Sequence, residues 1–94
     1  MADTPETDPL ALFLGQLVVL DTQGPLLYIG TLQGLTPASL LLADADVHDT
    51  NDSRSSKDLY LVETRDLGGR INRTLVLVMR QQIASISLLG DVVD

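Results

Sequence analysis

The chain has 94 residues, 45% of them hydrophobic, a formal net charge of −7 and no cysteine. That length suits one domain with a single modest core, and the apolar content is too high for a disordered chain. Lack of cysteine excludes a disulfide framework, a thiol nucleophile and a thiolate metal site, and the acidic balance argues against diffuse, charge-driven binding of nucleic acid.

Residues 1–8 read as a disordered acidic tail without the basic start of a signal peptide. In TDPLALFLG, Thr7 or Asp8 can cap a helix with Pro9 at its first position, and Leu10, Phe13 and Leu14 fall on one helical face before Gly15. A short N-terminal α-helix is the expectation. LVVLDT (17–22) is a β-branched-rich strand, ended by the turn Gln23-Gly24-Pro25. The next run, Leu26 to Leu35, is long for a strand and contains Gly30, which marks a sharp bend or bulge. Thr36-Pro37-Ala38 is a turn, and SLLLADADV (39–47) a third strand.

HDTNDSRSSKD (48–58) has almost nothing to bury and reads as a polar loop. LYLVET (59–64) alternates loosely and suits a further strand, with a short helix as the alternative. Gly68-Gly69 predicts a turn, RTLVLVM (73–79) a buried strand, Arg80-Gln81-Gln82 a tight link and IASISLL (83–89) a last strand before a short acidic tail, 90–94. Five short antiparallel strands favour a small, strongly bent barrel.

Candidate chemistry is sparse. Residues 1–53 hold eight acids and no Lys or Arg, whereas all six basic residues lie between Arg54 and Arg80. Arg65, Arg70, Arg73 and Arg80 can form a phosphate-binding patch if they converge; otherwise they balance neighbouring acids. His48 beside Asp46, Asp49 and Asp52 lacks the spacing of a calcium or zinc site, and no serine has an oriented base or an oxyanion hole. Neither catalysis nor a metal or other cofactor is expected. The final strands read as apolar on both alternations, Leu75, Leu77 and Met79 against Val76 and Val78. A strand apolar on both faces must be covered on both. One face serves the core; the other meets a partner, unless the N-terminal helix or residues 59–64 cover it.

Several of these segments together resemble the Sm-like (LSm) family. PLALFLGQLVVLDTQG is similar to the family's N-terminal helix and first strand, Gly30-Thr31-Leu32 to the "GxL" of its second strand, and Leu35 to Leu42 to the frame around its Asp-x-x-Met-Asn loop. LVMRQQIASIS resembles the second Sm motif, with Arg80 and Gln81 also where the bacterial RNA chaperone Hfq carries Lys-His. The resemblance covers roughly residues 9–47 and 73–89 and implies a mainly β, five-stranded SH3-type barrel over 9–89, with a polar insertion at about 48–58.

The absence of cysteine, of a signal peptide and of a long apolar run fits a cytoplasmic protein. The resemblance further implies a non-catalytic one that self-associates into a ring through its last two strands, with Leu75, Val76, Leu77, Val78, Ile83, Ser85 and Ile86 on the pairing edges. The function implied first is binding of single-stranded RNA or a ribonucleoprotein, with Thr36, Ser39, Arg80 and Gln81 lining the site and Arg65, Arg70 and Arg73 as phosphate contacts. Here the polar signature departs from the family. Thr36 and Ser39 stand where RNA-binding relatives carry Asp and Asn, and Pro37 and Ala38 give no surface on which a base stacks. The alternative is a structural or adaptor subunit that keeps the barrel and its pairing edges without RNA, similar to the auxiliary Sm-like subunit of an N-terminal acetyltransferase. No membrane contact is expected.

Overall fold

The computed structural model describes residues 8–52 and 56–94. The expectation of a disordered segment at 1–8 thus falls almost wholly outside the described residues. Five strands follow in chain order: β1 (Leu17–Thr22), β2 (Leu26–Leu35), β3 (Ser39–Asp49), β4 (Arg73–Met79) and β5 (Ile83–Leu88). They form one antiparallel sheet in the order β4-β3-β2-β1-β5. A three-residue 3-10 turn, Arg80–Gln82, joins the two outer strands.

The bend expected at Gly30 is present and involves two strands. The β2–β3 register slips between Ile29 and Thr31, and opposite that slip Asp44 adopts a left-handed conformation, φ 51°. A Cβ at position 30 would sit 3.1 Å from the Ala43 carbonyl oxygen and from the Ala45 Cα and Cβ. Glycine therefore lets the two backbones approach where the sheet curls.

Helical structure departs from expectation in two places. The N-terminal segment is a five-residue 3-10 helix, Pro9–Phe13, capped by Asp8, whose carboxylate accepts the Leu10 N–H at 3.0 Å. Between Pro9 and Gly15 (φ 80°) there is too little chain to propagate an α-helix, and the tighter 3-10 turn suffices. The α-helix instead spans Lys57–Leu67 (α1), between β3 and β4, so the helical alternative for LYLVET is realised. Ser56 accepts the Leu59 N–H, Asp58 lies in the first turn, Arg65 in the last, and Gly68 (φ 87°) ends the helix. The expected polar loop at 48–58 is correspondingly shorter: His48 and Asp49 belong to β3, Thr50–Asp52 is a 3-10 turn, and Lys57 and Asp58 are helical.

Residues pack on both faces of the sheet. One core gathers Val18, Leu20, Leu32, Leu40, Leu42, Ala45 and Val78, with Leu10, Phe13 and Leu14 of the N-terminal segment against it. A smaller one gathers Val19, Leu27, Ile29 and Leu89 beneath Tyr60 and Leu61 of α1 and Val92. Two cations fasten α1. Lys57 Nζ donates to Asp21 (2.6 Å) and to the Thr22 and Gly24 carbonyls (3.1 and 2.7 Å). Arg65 donates to the Val92 carbonyl at 2.6 Å and pairs with Asp66 and Asp94. Where β4 has not yet begun, Asn72 continues the ladder: its side-chain amide exchanges two 3.0 Å hydrogen bonds with the Val47 backbone.

Candidate functional site

The β2–β3 turn and the β4–β5 link meet at one end of the sheet. Within the turn, the Thr36 hydroxyl accepts the N–H groups of Ala38 (3.2 Å) and Ser39 (2.9 Å) and lies 2.7 Å from the Ser39 hydroxyl. The Thr36 N–H donates to the Ser39 carbonyl at 2.9 Å. Across the gap, the Arg80 N–H donates to the Ala38 carbonyl (2.9 Å) and its Nε to the Thr36 carbonyl (3.0 Å). Thr36, Ser39 and Arg80 are thus brought together, and the exposed Gln81 follows. Pro37, Ala38, Met79, Arg80 and Gln81 line a shallow cleft of about 310 Å³ there.

Apart from the exposed Gln81, the polar side chains gathered here are already engaged. Ser39 is 5% exposed, and its hydroxyl is spent on Thr36. The Arg80 guanidinium also pairs with Asp8 at 2.6 Å, and only 27% of its side chain is exposed. That contact, with the Leu10 N–H, holds the Asp8 carboxyl below the usual carboxylate range. Asp8 does two jobs, as cap and as counter-ion, and only the first was legible as a sequence pattern. The cluster has no aromatic side chain.

The other arginines lie elsewhere. Arg73 opens β4 while Arg80 follows its end, a separation of about 23 Å for an extended strand of that length. Arg73 donates to the Asn72 carbonyl at 2.8 Å. Asp66, and after it Asp94, raises the Arg65 pKa above its already high ordinary value, and Arg65 in turn lowers that of Asp66. Arg65 and Arg80 therefore balance neighbouring acids. Among the described residues, Arg70 and Arg73 form no ion pair.

A second polar group, unforeseen in the sequence, links α1 to β3. Asp46 is 4% exposed and accepts hydrogen bonds from the Tyr60 hydroxyl and, at 3.3 Å, from the Arg70 N–H. Burial first, and then Asp46, pushes the Tyr60 pKa up to about 12. The His48 ring stacks on Tyr60, centroids 3.7 Å apart and planes within 8°. This is an internal brace: Gly69 passes so close that a Cβ would lie 3.2 Å from the Asp46 carboxylate. No grouping of three metal-ligating side chains occurs among the described residues.

The outer strand β4 carries an exposed apolar row. In β4, Val78 is buried, while Leu75, Leu77 and Met79 on the other alternation are 56%, 54% and 41% exposed. Neither α1 nor the N-terminal segment covers that face. In β5, Ile83, Ile86 and Leu88 are half-buried, but Ser85 and Ser87 point outward, so β5 is apolar on one face only, unlike the expectation. Each strand pairs with one neighbour, β4 with β3 and β5 with β1, which leaves one row of backbone groups on each without a strand partner among the described residues.

No protein-family model matches the sequence, and neither does any curated protein. Solved structures do match. A chain of the NatC complex bound to CoA superposes with a TM-score of 0.57 at 18% identity, over 86% of this chain and 84% of that one. A chain of the NatC complex bound to Gag peptide and CoA gives 0.56 at 20% identity, over 84% and 89%. The Pyrococcus abyssii Sm protein, solved in complex with a uridine heptamer, gives 0.56 at 16% identity, over 86% and 97%. At such identities the likeness is one of fold. No helix of the described residues is long and apolar enough to cross a membrane.

Proposed function

We propose that this chain, whose fold is Sm-like, is a non-catalytic assembly subunit that joins other Sm-like chains, its own copies first, through the edges of β4 and β5. The observation that carries this reading is the exposed row Leu75, Leu77 and Met79 on an outer strand with an unpaired edge. Pairing β4 of one copy with β5 of the next would satisfy both rows of backbone groups and close by rotation. It would also bury apolar surface that β4 otherwise leaves in water.

The reading without RNA gains from the charge balance. Lys57, Arg65 and Arg80 are each paired with a carboxylate. Asp44, Asp49, Asp52, Asp58, Glu63 and Asp91 have no cationic partner among the described residues. Such a surface repels phosphates. One observation favours the RNA-binding alternative, the convergence of Thr36, Ser39 and Arg80 with Gln81 beside them, to which Arg70 and Arg73 would have to contribute from more distant positions.

Native mass measured with and without a U-rich oligonucleotide separates the two. The expected result is a multimer that leaves the RNA unbound at moderate salt. A multimer that takes up RNA, with affinity falling steeply as salt rises, returns the function to RNA binding.

A further inference from the structure

We propose that the groove between the C-terminal end of α1 and the sheet docks a basic, aliphatic-rich amphipathic segment of a partner protein. The groove holds about 360 Å³, floored by Ile29 and Leu89 and flanked by Leu17 of β1 and Ile71 of the α1–β4 connection. Leu17 is 48% and Ile71 62% exposed, so aliphatic surface lines its sides as well as its floor.

The charge at this groove has one sign. Arg65 lines it but is neutralised twice, by Asp66 and Asp94. Asp46 accepts its hydrogen bonds from within the fold. Asp44 also lines it, is exposed, and has no cationic partner among the described residues. The bulge at Asp44 interrupts the regular alternation of β3, and such bulges re-aim side chains next to binding sites.

An aliphatic floor beside one uncompensated carboxylate fits leucine- or isoleucine-like side chains with a lysine or arginine alongside. It fits RNA badly, because it has no stacking surface and repels phosphate. The groove shares no lining residue with the edge positions Leu75 to Val78 or Ile83 to Ile86.

The test is a titration of the isotope-labelled full chain with a synthetic amphipathic peptide of leucine and lysine, and with a leucine–glutamate peptide of the same pattern. The leucine–lysine peptide is expected to shift the amides of Leu17, Thr31, Asp44 and Ile71. Asp44→Asn, which keeps the side-chain shape and tolerates the left-handed conformation, should weaken binding about two- to fivefold. Ile71→Ser should weaken it about tenfold, and Asp58→Asn on the exposed face of α1 should leave it unchanged. Equal binding of the glutamate peptide, or an Asp58→Asn effect as large as that of Asp44→Asn, would reduce the interaction to general stickiness or diffuse charge and overturn the proposal. Absence of shifts in the groove would overturn it as well.

Discussion

Replacing Gly30 with alanine tests whether the curl of the sheet depends on backbone approach at one residue. The new methyl would meet three atoms at 3.1 Å, the Ala43 carbonyl oxygen and the Ala45 Cα and Cβ. Two of these are backbone atoms of the facing strand and cannot rotate away. Position 30 does not require a positive φ, so alanine brings no conformational strain and gains about 0.4–1 kcal/mol from a less flexible unfolded chain. Overpacking a tight site costs about 1–3 kcal/mol. The net expectation is a loss of about 1–2 kcal/mol, enough to lower the thermal midpoint of a domain this size by about 4–16 °C. Gly24→Ala is the control: its Cβ would meet nothing within 4 Å, and the residue before Pro25 is extended in any case. It should be neutral or slightly stabilising. Urea unfolding followed by far-ultraviolet circular dichroism, at two protein concentrations so that assembly is not mistaken for stability, reads both variants. Gly30→Ala as stable as the parent would refute the close approach as the reason for the glycine.

Tyr60→Phe removes the better of the two donors to the buried Asp46 carboxylate and should cost about 1–3 kcal/mol by the same unfolding assay. The raised Tyr60 pKa carries a signed pH dependence. Its contribution is fully present below the ordinary tyrosine value of 10.0 and is lost as pH rises toward about 12, so the stability gap between the parent and Tyr60→Phe should narrow over that interval. Asp8 behaves oppositely. Its lowered pKa stabilises the fold above the ordinary value of 3.8, and the stability difference between the parent and Arg80→Ala should shrink as pH falls below it. Leu77→Lys, on the exposed face of β4, should reduce the native mass while changing the stability of the single chain by no more than about 0.5 kcal/mol.

The strands were legible because their signals are local. Alternation, β-branching and turn residues place β1, β2 and β4 at their observed limits, and Gly30 announces the bend. Residues 57–67 were harder, because loose alternation in LYLVET imitates a strand while the Ser56 cap and Gly68 stop lie outside that window. The N-terminal segment has helical spacing but too little length, a matter of cooperativity that periodicity does not report. At the candidate site, Thr36, Ser39 and Arg80 were placed together by resemblance, and their proximity holds. What pattern could not supply was the pairing of Arg80 with Asp8, 72 residues away in the chain. The same holds for the Asp46–Tyr60 brace and for the left-handed turn of Asp44, all of which depend on the folded sheet.

Edge pairing is tested most directly by amide hydrogen exchange along β4 and β5 in the native protein. Half of the N–H groups of each strand point away from the one strand it pairs with among the described residues, so without a further partner they face water. If copies join edge to edge, those outward amides exchange slowly in the parent and rapidly in Leu77→Lys. Rapid exchange of the outward amides in the parent, at concentrations where the native mass is constant, would contradict assembly through these strands.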